Sequence, residues 1–188
     1  MGELPTRREA IRILERERAR TVDLLDALPK AALMRTGLGG GTWSPKDLIG
    51  HLATWEEFAL DALAAWERGE RAPIDDLAYT VPTSKINDQA VRRKAPWSLA
   101  KVRRESERTH RELLDAIASL SDARWRAPVT ARGRSQLGKR LGSILGGPGG
   151  GFHHDAGHHR SLVAFVADQT GRTGRPSGAG SSARRSNR

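Results

Sequence analysis

Apolar residues return every three or four positions over long stretches of the chain, and short runs of glycine, proline and serine separate those stretches. This is the rhythm of amphipathic helices joined by turns. Over residues 5–28, Ile11, Leu14, Thr21, Leu25 and Leu28 form one stripe, with Arg7, Arg8, Arg12, Glu15, Arg16 and Glu17 largely off it. Arg18 falls on the stripe and weakens it. The glycine-rich "TGLGGGT" then leads into "TWSPKDLIGHL". There Ser44 can accept from orphan amides as N-cap, Pro45 suits the first helical position, and Trp43 can staple onto Leu48. The second helix is predicted to run to Arg68, with Leu48, Leu52, Trp55, Ala59, Ala62 and Trp66 at core spacing and His51 beside that seam.

Residues 69–94 contain Pro73 and Pro82 and predict a crossover loop with one short helix around "SKINDQAVRR". The start signal recurs at "PWSLAKV", where Ser98 caps and Trp97 can staple onto Val102. Val102, Thr109, Leu113, Ile117 and Leu120 then mark a third helix ending near Ser121. Residues 124–151 predict a short helix over 137–145 followed by a flexible glycine run, and a last long helix is expected over 152–168, with Leu162, Phe165 and Val166 apolar. No stretch alternates with period two, so strands are not expected. Four long helices with a longer connection between the second and third predict an all-α four-helix bundle.

Composition sharpens this picture at three points. The 188 residues, 37% hydrophobic, support one core and one domain, placed at 1–170. The absence of cysteine excludes disulfides, thiolate metal sites and thiol nucleophiles. Neither a signal peptide nor a long apolar span is visible, so a cytoplasmic protein with no membrane partner is expected. The net charge of +10 invites a nucleic-acid reading, but half of it lies in "GRTGRPSGAGSSARRSNR", residues 171–188, a Gly/Ser/Arg tail expected to be disordered. Nucleic acid is therefore expected only as a weak, non-specific partner of the tail. A basic, non-enzymatic nucleic-acid binder is the reading from another class, and no zinc-finger or RNP signature supports it.

The densest chemistry is "FHHDAGHHR", which holds four of the six histidines. His154 and His158, four apart, share a helix face, whereas His153 and His159 point elsewhere. His51 is the natural third ligand of a divalent metal if the second and fourth helices pack together, giving a triad of His51, His154 and His158 for zinc, nickel or iron. A hydrogen-bonded core role for His51 and a solvated His cluster remain alternatives. Gly157 within the pair costs helix stability. Asp155 and His159 are expected as a surface pair, and His110 as a boundary residue.

Taken together, "WSPKDLIGHLATWEE", "IND", "WSLAKVRRESERTHRELLDAIASLSDARW" and the late "HDAGH" resemble the DinB-like four-helix bundles, and within them the ClbS/DfsB branch. The resemblance covers residues 8–170. It implies a divalent metal held by one histidine of the second helix and two of the fourth, matching His51, His154 and His158. It also implies either hydrolysis of a reactive small molecule in self-protection, as in the ClbS/DfsB branch, or metal-dependent thiol transfer or isomerisation. A metal-independent ClbS-like hydrolase or binder stands behind these.

On the first reading, a metal ion lowers the pKa of bound water for attack on an electrophilic small molecule. Trp55 and Trp66 would line the substrate pocket, unless they are plain core. Asp47, one turn before His51, would orient its ring or else satisfy the helix start. No catalytic side chain is assigned, and a homodimer is compatible with the bundle. Deleting residues 171–188 is expected to leave helicity and the thermal midpoint nearly unchanged by circular dichroism. A large fall in either would show that the tail docks onto the bundle.

Overall fold

The structure is a computed structural model that describes residues 4–130 and 133–173. Helix α1, Arg7–Asp26, begins at a capping box in which Thr6 and Glu9 satisfy one another's end of the first turn. Two short 3-10 turns, Lys30–Met34 and Leu38–Gly40, lead to α2, Pro45–Glu67, which starts at the Ser44–Pro45 signal with Asp47 completing a second capping box. The expected crossover loop is instead two helices, α3, Pro73–Thr80, and α4, Thr83–Lys94. Helix α5, Leu99–Ser119, is capped by Ser98, whose hydroxyl accepts from the Lys101 amide. Short helices α6, Asp122–Arg126, and α7, Leu137–Ile144, precede α8, His154–Thr173.

Helix α8 therefore runs beyond the predicted 168 and through the first residues assigned to the tail; residues 174–188 lie outside the described residues. Among the described residues there is no strand, only isolated bridges pairing Pro128 with Gln136 and Gly147 with Gly150.

Helices α2 and α5 pack together, as do α1 and α8, and contacts of α1 with α5 and of α2 with α8 close the four-helix bundle. Two apolar clusters fill it. One joins Ala10 and Leu14 to Ala59, Ala62, Trp66, Leu113 and Ile117, and extends over Leu141 and Phe152. The other gathers Leu25, Leu48, Leu52, Val102 and Leu162 near the glycine-rich loop.

Between the clusters lies a belt of buried polar side chains centred on Arg18. Its guanidinium reaches Asp155 of α8 at 2.8 Å, Glu56 of α2 at 3.1 Å and Ser106 of α5 at 2.9 Å, so one α1 side chain ties all four long helices. Glu56 also accepts from or pairs with His110 Nδ1 at 2.6 Å. The arginine that weakens the apolar stripe in the sequence is thus a buried junction, and His110 belongs to the same network. Burial opposes the charge on Arg18, yet the carboxylates of Asp155 and Glu56 outweigh it and raise its pKa above the ordinary value.

The glycine run before α8 is exposed over Gly149, Gly150 and Gly151 but closely packed at Gly147. A Cβ on Gly147 would collide with the carbonyl of His153, which is backbone and cannot rotate away. Phe152 has a left-handed backbone, φ 68°, uncommon for an aromatic residue. Its ring is 1% exposed and stacks on Trp125 at 5.8 Å between centroids. The His154 amide then donates to the Leu145 carbonyl at 3.1 Å, tying the start of α8 to the end of α7.

Replacing Arg18 with methionine keeps much of its volume but leaves Glu56 and Asp155 buried without their cation. The expected loss is about 3–5 kcal/mol of unfolding free energy, the usual cost of breaking one side of a buried ion pair, read from urea melts. A variant as stable as the parent chain would show that the belt contributes nothing net.

Candidate metal centre

The direction of each histidine follows from the faces of α2 and α8. On α8 the fully buried positions are Asp155, His159, Leu162, Phe165 and Gln169, and the first two are turned towards α1. His154 and His158 flank that stripe by the roughly 100° that separates neighbouring helix positions, and this turns them towards α2. There they meet His51, which is 1% exposed. His51 Nε2 lies 3.0 Å from His154 Nε2, and its ring centroid is 5.1 Å from that of His158. One ring nitrogen from each of the three lies within 4.8 Å of the others, so the three residues could hold a metal ion.

The donor set fits a divalent ion. Two nitrogens each about 2.0–2.1 Å from a tetrahedral ion sit roughly 3.3 Å apart, close to the His51–His154 separation. Neutral imidazole is the ligating form, and all three rings are held neutral. Burial first, then the neighbouring His154, His158 and Lys94, lowers the pKa of His51 to about 2. Burial, with His158, lowers His154 to about 4 against a partial opposing pull from Asp155. His158 is lowered too, chiefly by burial.

The other predicted residues are distributed differently. Trp55 borders the cluster, its ring centroid 5.8 Å from that of His154 and 6.4 Å from that of His51. Trp66 does not; it is 2% exposed within the apolar cluster at the other part of the bundle, the plain core reading. Asp47 serves the helix start, its Oδ2 accepting from the Ser44 amide and hydroxyl at 2.9 and 2.7 Å. His51 Nδ1 is buried with no hydrogen-bond partner, so Asp47 does not orient that ring. Asp155 and His159, expected as a surface pair, are both buried. Asp155 is held by Arg18, and His159 Nε2 lies 3.0 Å from Thr21 Oγ1. Burial raises the carboxyl pKa of Asp155, but Arg18 more than offsets this and the net shift is downwards.

Two neighbours of the cluster escaped the sequence reading. Trp43, read there as a helix staple, has its ring centroid 4.9 Å from that of His51. Asn87 of α4 accepts from Trp55 Nε1 at 3.0 Å and fixes that indole beside the histidines. The "IND" motif that contains Asn87 was a usable signal, but nothing in the spacing said which residue it faced. Gly157, between the paired histidines, has a local reason: a Cβ there would approach Pro148 Cδ to 3.0 Å.

Comparison with known proteins comes to rest on the fold and the family. The chain is similar to a crystal structure of an uncharacterised protein from Escherichia coli UTI89, with a TM-score of 0.69 at 13% identity, covering 90% of this chain and 96% of that one. At that identity the likeness shows a shared fold. No curated protein matches the chain. The model of the DinB superfamily matches residues 13–162, most of the bundle and all three converging histidines, and the chain therefore belongs to the DinB superfamily.

Proposed function

We propose that this protein is a metal-dependent hydrolase, of the ClbS/DfsB-like kind, that opens an electrophilic small molecule. The observation that carries the reading is the convergence of His51, His154 and His158 on one point walled by Trp43 and Trp55. Bound there, a zinc, nickel or iron ion would supply Lewis acidity and acidify a coordinated water. The chain's own part is to hold three neutral imidazoles in place and to offer the two indoles as apolar walls for a substrate. Asn87 keeps the Trp55 ring from turning away, because its side-chain oxygen holds the indole N–H.

Metal content by elemental analysis of the untagged protein tests the ligand set. Replacing His51, His154 or His158 with alanine is expected to lower divalent-metal affinity at least about tenfold, since two imidazoles leave an incomplete site. His153→Ala is expected to retain it. Hydrolysis of activated epoxides or cyclopropanes should follow the same pattern without added thiol. Undiminished metal binding by a folded His51→Ala variant would end the three-ligand reading. Turnover only with a low-molecular-weight thiol would transfer the reading to a metal-dependent S-transferase.

The lowered pKa values give a second expectation for the chelator-treated chain. The unfolded imidazoles take up protons near the ordinary value of 6.5, whereas folded His154 does so near 4 and His51 near 2. Between those values the unfolded state binds more protons, so stability is full above about 6.5 and falls as the pH drops towards 4, by up to about 1.4 kcal/mol per group per pH unit. Urea midpoints across that range check the sign. A gain of stability on acidification would contradict it.

A further inference from the structure

Half of the net charge lies in residues 171–188, but a second concentration of cations belongs to the folded part of the chain. Residues 124–140 hold Arg124, Arg126, Arg132, Arg134, Lys139 and Arg140 and no acid. Position 132 lies outside the described residues; the rest of the segment runs out from α6 and back into α7 as a short ribbon. Its two antiparallel stretches are joined by the Leu137 amide on the Ala127 carbonyl at 2.8 Å, the Val129 amide on the Ser135 carbonyl at 3.0 Å and the bridge of Pro128 with Gln136. The base of the ribbon is fixed. Trp125 donates through Nε1 to the Pro5 carbonyl at 2.8 Å, and Gly138 lies so close to that indole that a Cβ would collide with it.

Three acids pair with cations at this end of the bundle and are thereby matched. Arg124 Nε reaches Glu67 at 2.7 Å, Arg140 pairs with Asp75, and Arg7 Nε reaches Asp122 at 2.9 Å. The Arg7 hydrogen bond holds the Asp122 carboxyl below its ordinary range, and Arg126 and Arg8 add to the pull, so three guanidiniums surround one carboxylate. Arg126, Arg134 and Lys139 are exposed and form no ion pair among the described residues. The large apolar side chains exposed on the described surface, Val22, Met34, Tyr79 and Val163, all lie outside the ribbon. It therefore offers no apolar group to enter a membrane and no ring to stack on an unpaired base. What it offers is charge on a narrow support. The B-DNA major groove, about 12 Å wide, admits a two-stranded ribbon, whereas the A-form groove is too deep and narrow.

We infer that this ribbon docks on duplex DNA, lying along the major groove with Arg126, Arg134 and Lys139 on backbone phosphates and without reading sequence. A guanidinium fork matches a phosphate bidentately, and each such contact releases condensed counterions. The inference is independent of the hydrolase reading, because none of the three residues borders the histidine cluster.

Fluorescence anisotropy of a labelled mixed-sequence duplex of about 20 base pairs tests it. The reference protein is the full chain carrying Arg184→Gln, Arg185→Gln and Arg188→Gln, which removes most of the tail's charge from the comparison. It is expected to bind with a Kd below about 100 μM at about 50 mM NaCl, and to weaken as salt rises. Adding Arg126→Gln, Arg134→Gln and Lys139→Gln is expected to weaken binding at least about tenfold and to make the slope of log K against log salt shallower by about 2–3, at about 0.9 per phosphate contact. Circular dichroism checks that the variant is folded; each single substitution, expected to change the slope by about one, carries the test if the triple variant is not. A single strand of the same length should bind more weakly, and polyglutamate at matched charge should not displace the duplex. Absence of binding by the reference would overturn the inference, as would a folded triple variant that binds as the reference does. A single strand held as tightly as the duplex, or polyglutamate displacing it as well as unlabelled duplex, would also overturn it, since either describes a general sink for anions.

Discussion

The buried guanidinium of Arg18 constrains the bundle more than any single apolar contact. Hydrophobic packing is non-directional, and two helices with smooth stripes can slide or rotate against each other at little cost. Arg18 removes that freedom because its donors must be matched at once by Asp155, Glu56 and Ser106, each from a different helix. A buried ion network of this kind contributes little net stability compared with an apolar replacement of both partners, but it penalises every arrangement that leaves one charge unpaired. The belt therefore acts on the rotation of α8. With Asp155 fixed against α1, the residues on either side of it in the helical turn have only one direction left, and His154 and His158 face α2.

The elements outside the four long helices refine that placement. The start of α8 is set by the left-handed Phe152, its ring stacked on Trp125, and by the amide of His154 on the Leu145 carbonyl. Close contact of Gly147 with the His153 carbonyl leaves no room for a side chain in the approach. On the other side, α4 contributes Asn87, and it is further anchored to α2 by Lys94 on Glu57 at 2.5 Å. Both histidine-bearing helices are thus held from outside the bundle core as well as from within it, which is what a ligand set needs if its geometry is to precede the arrival of an ion.

The long helices were legible because each carries its own period, and two of them a cap that the sequence also shows. Ser44, Pro45 and Ser98 act locally, and a local signal survives any tertiary arrangement. The pairing of His154 with His158 was legible for the same reason, being a property of one helix. What could not be read was anything that depends on a partner from another helix. Arg18 looked like a flaw in a stripe because its three partners are dispersed through the sequence. Asp155 and His159 looked like a surface pair because their polarity says exposed unless something polar waits inside. Trp66 and Trp55 occupy equivalent positions in the pattern of α2, and only the packing of α4 and α8 separates a core indole from one beside the histidines. The glycines before α8 read as a flexible run because close approach and flexibility call for the same residue.

The histidine cluster itself is a place where the fold gives up stability. In the metal-free chain, His51 and His154 can share one proton between their Nε2 atoms, 3.0 Å apart. If His51 is the acceptor, its Nδ1 carries a proton with nothing to receive it; if His51 is the donor, its Nδ1 is a bare acceptor with nothing to supply it. Either tautomer leaves a buried polar atom unsatisfied, at a cost of about 1–3 kcal/mol. An apolar residue at position 51 would remove that cost and continue the seam between Leu48 and Leu52, both buried. A polar ring kept there, neutral and turned towards two others, is an arrangement that packing alone does not favour. The unsatisfied polarity is located where three nitrogens meet, and there a bound cation would recover in ligation what burying the three rings costs in solvation.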